Sequence, residues 1–174
     1  IHLTDDQAWT FPSTAYPKLG TRNGSAHGGP TPPRCDMAEF DVLCLQEVAR
    51  NYPDLPGSFG EDQFGLLGGL LPGFTAVEGI AVDVLGAGGR RRQFGNLILT
   101  RYPVIQAFAH LLPWPADPAV PSMQRVALEA VLAAPFGPVR VTTTHLEYYS
   151  ERQRRQQVNR LRGLHAEAAA HRGD

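Results

Sequence analysis

A carboxylate, an imidazole and an amide each sit beside an apolar run in this sequence. Glu47 ends Asp41-Val42-Leu43-Cys44-Leu45-Gln46-Glu47. A short apolar run between polar residues reads as a strand buried on both faces. The ends of such strands are where α/β proteins place their chemistry. A carboxylate there could give an oxygen to a hard cation such as Mg²⁺. The plainer reading is a solvated strand end, which this motif alone favours because most charged residues are surface residues. His145 follows Val139-Arg140-Val141-Thr142-Thr143-Thr144. An imidazole there could donate to a phosphate oxygen or move a proton; its alternative is a structural histidine held by the neighbouring loop. Asn96 lies in Phe94-Gly95-Asn96-Leu97-Ile98-Leu99-Thr100-Arg101. Gly95 would let the backbone come close to something, and the Asn96 amide could orient a carboxylate or a substrate oxygen. Otherwise Asn96 is a turn or bulge residue.

Regular elements must carry these groups. The run 41–46 predicts a strand. Phe64, Leu67, Leu70 and Leu71 predict a helix over about 61–71, ended by Leu71-Pro72-Gly73. Strands are expected at 74–84 and 94–100 around the turn 86–89, and again at 104–112. Residues 113–121 are Pro-rich and read as a surface loop. The clearest hairpin joins 126–132 to 139–144 through Pro135-Phe136-Gly137-Pro138, and its second strand delivers His145. Ser150 and Gln153 fit a capping box, opening a helix whose apolar stripe is Val158, Leu161, Leu164 and Ala168. Residues 1–36 differ: 20–33 are dense in Gly, Pro, Ser and Thr and read as an arm without a core, with Trp9, Phe11 and Tyr16 as isolated aromatics. Organised α/β sequence begins at Met37.

Composition narrows the classes. The chain has 174 residues, 43% of them hydrophobic and 19% charged, which suits one globular domain. The net charge of −1 gives no global field for nucleic acid or membrane. For the same reason Arg90, Arg91, Arg92 and the arginines of the last helix read as a solvated turn and a solvated helix face rather than a phosphate site. Cys35 and Cys44 are too few for a disulfide framework, Cys44 reads as a small buried hydrophobe, and a cytoplasmic setting is expected. No signal peptide or transmembrane run is visible. Phosphate-loop, paired-cysteine, His-Glu-x-x-His and Gly-x-Ser-x-Gly patterns are all missing.

The segments 41–47, 94–103 and 141–147, in that order, resemble the endonuclease/exonuclease/phosphatase superfamily, which has the fold of pancreatic deoxyribonuclease. The resemblance covers about Met37 to Ala170. It implies an α/β (α+β) fold, part of a four-layer sandwich built on two mixed, mainly antiparallel sheets. It implies that Glu47 binds the catalytic Mg²⁺ (or Mn²⁺), that His145 contacts the scissile phosphate, and that Gly95 to Arg101 is the family's Gly-Asn-x-Ile-Leu-Ser-Arg segment, with Thr100 in place of Ser. The Thr-His-Leu-Glu form is similar to that of the tyrosyl-DNA phosphodiesterase branch, which follows the Glu with a small polar residue where this chain has Tyr148.

The family's opening Asn strand has no match in residues 1–36, Asn23 included. Its Gly-Asp-x-Asn motif is not matched by Gly173-Asp174, and its Ser-Asp-His motif would lie past residue 174. The expectation is a partial domain over 37–174. Its parent is a Mg²⁺-dependent hydrolase of phosphate esters, nucleic acid among the candidates, and the 174-residue chain itself is expected to be inactive or nearly so. The rival expectation is a non-catalytic fragment or interaction module.

Overall fold

The computed structural model describes residues 40–55 and 58–171. The arm 1–36 and Gly173-Asp174 lie outside the described residues. Strand β1 (Val42–Arg50) leads to helix α1 (Gln63–Leu70). Strands β2 (Thr75–Leu85) and β3 (Arg91–Thr100) follow, joined through a 3-10 turn at Ala87–Gly89. Then come β4 (Val104–Leu111), β5 (Val126–Ala134), β6 (Gly137–Thr144) and helix α2 (Glu151–Ala170). The strands form two sheets, ordered β1-β3-β2 and β4-β5-β6. Every described pairing is antiparallel. The α+β fold class is as expected, with no parallel pair among the described strands.

Strand alternation builds the layers. Successive side chains of β3 point to opposite faces. Leu97 and Leu99 pack with Val48 and Phe64, under α1. Ile98 points the other way and packs with Leu128, Ala130 and Leu132 of the second sheet. On the far face of that sheet Ala127 meets Leu164 of α2. The order is therefore helix, sheet, sheet, helix. The sheets approach closely where Gly79 faces Leu128: a Cβ on Gly79 would lie 2.8 Å from the Leu128 Cβ.

Several expected details change. β1 runs past Glu47 to Arg50 instead of stopping at residue 46. Cys44, expected as a small buried hydrophobe, is exposed. β3 begins at Arg91, because Arg91 pairs with Leu85 and Arg92 with Val84. Arg91 and Arg92 are thus strand residues, bonded to Asp83 and Asp54, and not a solvated turn. Helix α1 is capped by Asp62, whose Oδ1 accepts from the Gly65 N–H at 3.0 Å. Leu70, expected in its apolar stripe, is 54% exposed.

At α2 only half of the capping box forms. Ser150 Oγ accepts from the Gln153 N–H at 3.2 Å, but the Gln153 amide donates to the Pro115 carbonyl at 2.9 Å instead of reaching back. Gln153 and Gln157 are fully buried, whereas Val158, expected in the stripe, is 40% exposed. The buried face of α2 is a row of amides because the loop over 113–122 presents carbonyls and a hydroxyl to it. Among the described residues, no helix is long and apolar enough to cross a membrane.

Candidate functional site

Glu47 is placed by an irregularity in β1. Leu45 pairs with Leu97 and Val48 with Gly95, so Gln46 and Glu47 together oppose Asn96. That two-against-one count is a β-bulge, a device that re-aims side chains. Glu47 takes φ 57° there. A non-glycine residue in the left-handed region costs of order 1–3 kcal/mol and persists only where its surroundings hold it.

The surroundings are specific. Gln46 Nε2 donates to the Thr144 carbonyl at 2.7 Å, tying the bulge to the end of β6. The next residue after Thr144 is His145, and its Nδ1 lies 3.0 Å from Glu47 Oε1. Arg125 Nη1 lies 3.5 Å from the same oxygen. Arg125 is only 8% exposed, and its Nε donates to Glu147 Oε2 at 3.3 Å. The Glu147 side chain is wholly buried. The site therefore joins two sheets: the bulge of the first, and the strand ends that begin β5 and finish β6 in the second.

These contacts set the charge on Glu47. Burial pushes its carboxyl upward, but the hydrogen bond and charge of His145, and then the charge of Arg125, outweigh that and hold it below the ordinary glutamate value. A carboxyl depressed in the folded state stabilises the fold above its unfolded pKa, and that contribution is lost as the pH falls through the folded value. The stability difference between the wild type and Glu47→Gln is thus expected to shrink as the pH falls below about 4. Urea denaturation of both proteins across that range measures it; a difference that grows in acid would contradict the assignment.

Asn96 is brought near this junction but faces inward. It is 3% exposed, and its Nδ2 donates to the Val126 carbonyl at 2.9 Å. The same carbonyl accepts from Thr144 Oγ1 at 3.0 Å. Sequence reasoning missed Arg125 and the tie made by Gln46. Gln46 was within the motif that drew attention to Glu47. Arg125 carried no signal beyond preceding a strand. Beside the site, on α2, lies a cavity of about 560 Å³ lined by Leu146, Glu151, Arg154, Arg155, Val158 and Asn159.

No family model matches the sequence, and no curated protein matches it. Among solved structures, the chain is similar to an endonuclease/exonuclease/phosphatase from Beutenbergia cavernae DSM 12333, with 28% identity and a TM-score of 0.54. The match covers 70% of this chain and 34% of that one, so the chain spans about a third of that structure's length. The two antiparallel sheets, their flanking helices and this match together make the described chain a partial endonuclease/exonuclease/phosphatase fold.

Proposed function

We propose that a protein containing these residues is a Mg²⁺-dependent phosphoesterase, with Glu47 as a metal ligand and His145 as a contact to the scissile phosphate. The observation that carries this reading is the pairing of Glu47 with His145 across two sheets, on a backbone held at φ 57°. Strained non-glycine residues cluster at functional sites.

The fit to Mg²⁺ is to one ligand position. His145 and Arg125 both fall on Oε1 of Glu47, which leaves Oε2 as the oxygen for a cation. Mg²⁺ keeps several waters and is commonly held by one or two carboxylates together with substrate phosphate. No group of three or more His, Cys, Asp or Glu side chains among the described residues could hold a metal ion. When bound, the cation would polarise the phosphate and offset charge on the leaving oxygen.

The chain's own residues orient and donate. A carboxylate oxygen 3.0 Å from His145 Nδ1 needs a proton between them, so Nδ1–H points to Glu47. Nε2 is then the nitrogen left to meet a substrate oxygen, as a donor when the ring carries both protons. A donor aimed at an oxygen that gains negative charge in the transition state speeds the reaction selectively. Arg125 offsets the charge of Glu47 and Glu147, and its low exposure keeps it from serving as a loose surface cation.

The test is hydrolysis of a simple phosphodiester and a simple phosphomonoester, with Mg²⁺ and with a chelator, by a protein that contains these residues and the rest of its domain. His145→Ala is expected to lower the Mg²⁺-dependent rate by about a hundredfold or more. Hydrolysis equal with and without the cation overturns the metal reading. Binding of the esters with no turnover in any condition leaves the non-catalytic interaction module as the better account.

A further inference from the structure

We propose that the free edge of β4 pairs with β4 of a second copy of this chain, antiparallel about Phe108, joining two three-stranded sheets into one of six strands.

β4 lies at one side of its sheet and pairs with β5 alone among the described strands. Two bonds fix which way its backbone points. The Leu112 N–H donates to the Arg125 carbonyl, and at the other end the Ala133 N–H donates to the Pro103 carbonyl, both at 2.9 Å. Hydrogen-bonded and non-hydrogen-bonded pairs alternate along an antiparallel ladder. Gln106, Phe108 and His110 therefore turn their backbone groups to β5, and Ala107, Ala109 and Leu111 turn theirs outward. An open row of this kind is a template for another strand.

The other sheet edges are blunted. β1 carries the bulge at Gln46 and Glu47. β2 has a bulge between Ile80 and Val82 and the charged Glu78 and Asp83. β6 contains Pro138 and Arg140. Bulges, charges and prolines are the devices that stop strand edges from pairing. β4 has no Pro, Asp, Glu, Lys or Arg over Val104–Leu111, and its own bulge lies at its start, between Val104 and Gln106. It is also apolar and open: Ile105 is 57% exposed and Leu111 59%.

The sequence of β4 selects the occupant. Outward from Phe108, Ala107 matches Ala109, Gln106 matches His110, and Ile105 matches Leu111. A second β4 running antiparallel about Phe108 puts each residue opposite its like. The backbone directions agree with that register. Ala107 and Ala109 both point outward, so each pair of them across the two-fold axis exchanges two hydrogen bonds. Phe108, bonded to β5, becomes the non-hydrogen-bonded pair on the axis, where side chains approach most closely. Its ring, stacked on His110 at 5.6 Å, then meets the same ring of the second copy as an aromatic cross-strand pair. Such a patch is self-complementary, as a two-fold interface requires.

The test is sedimentation equilibrium of the whole 174-residue chain, together with amide hydrogen exchange read residue by residue. Concentrations run from about 1 µM to about 1 mM, the range in which a small interface dissociates. The expected result is a mass that rises to two chains, with protection of the Ala107 and Ala109 amides rising in parallel. Phe108→Lys sets two like charges face to face, and Ala109→Pro removes an outward N–H while sparing every bond to β5. Each is expected to raise the dissociation constant about tenfold or more. Protection of the His110 amide, which is bonded to β5, shows that a variant is folded. Where one variant fails to fold the other decides, and where both fail the wild-type protection of Ala107 and Ala109 decides. A single-chain mass for the wild type at every concentration overturns the proposal. With Ala107 and Ala109 protected, that mass assigns the edge to another segment of the same chain. A two-chain mass kept by the folded variants, or formed with Ala107 and Ala109 unprotected, also overturns it. So does association that passes two chains without a plateau, because a two-fold pairing closes.

Discussion

Glu47→Gln is expected to lower Mg²⁺-dependent phosphate-ester hydrolysis by about a hundredfold or more, in a protein that contains these residues and the rest of its domain. Glutamine has nearly the shape of glutamate, so the bulge can persist. Its amide carries no charge for a dication, and only its carbonyl oxygen can accept. Two functions are lost together. The proposed cation loses its anionic ligand, and the His145 Nδ1–H loses the carboxylate that orients it at 3.0 Å. Arg125, 9% exposed at its side chain, is also left with Glu147 as its remaining anionic partner. Steady-state rates over a Mg²⁺ titration check this. The variant's residual activity is expected to need more Mg²⁺ for half-saturation. Equal rates at equal Mg²⁺ would remove Glu47 from the metal site.

Gly95→Ala is expected to destabilise the fold by about 3 kcal/mol or more, the upper end for forcing atoms into a packed interior. A Cβ at Gly95 would lie 1.9 Å from the Gly79 carbonyl oxygen and 3.0 Å from the Ile80 Cα. These are backbone atoms of the neighbouring strand, so no rotamer change can make room. β3 is the central strand of its sheet and cannot move off β2 without straining its pairing to β1. Bulges flank the position on both sides, between Leu45 and Val48 in β1 and between Ile80 and Val82 in β2. Gly95 pairs with Val48, the residue after Glu47, so the same substitution is expected to disturb the site. Urea denaturation measures the stability loss. A loss below about 1 kcal/mol would show that β2 can shift aside at little cost.

Much of this is legible in the sequence itself. Strand and helix positions follow from apolar and β-branched runs, from alternation at 126–132 and from the helical spacing of apolar residues. Glu47 and His145 were singled out by their places beside apolar and β-branched runs, and the ordered segments 41–47, 94–103 and 141–147 pointed to the fold. Gly95 was marked as a point of close backbone approach. Such features are local: they depend on residue type and short spacing, which a linear chain displays directly.

The tertiary structure alone decided the rest. Glu47 and His145 are 98 positions apart, and their contact exists because Gln46 bonds the end of β6 across the sheet gap. The bulge that aims Glu47 is not marked by any glycine in β1, because it is imposed by pairing with β3 rather than by local preference. Arg125 was one of 16 basic residues with nothing in its neighbours to mark it. Only burial between Glu47, in β1, and Glu147, in the segment after β6, distinguishes it. Asn96 was noticed for its type, while its inward direction follows from which face of β3 meets the second sheet. Sequence spacing determined which elements form and which residues lie at their ends. The packing of one sheet on the other decided which of those ends meet, because long-range contacts are set by register and burial that no short window contains.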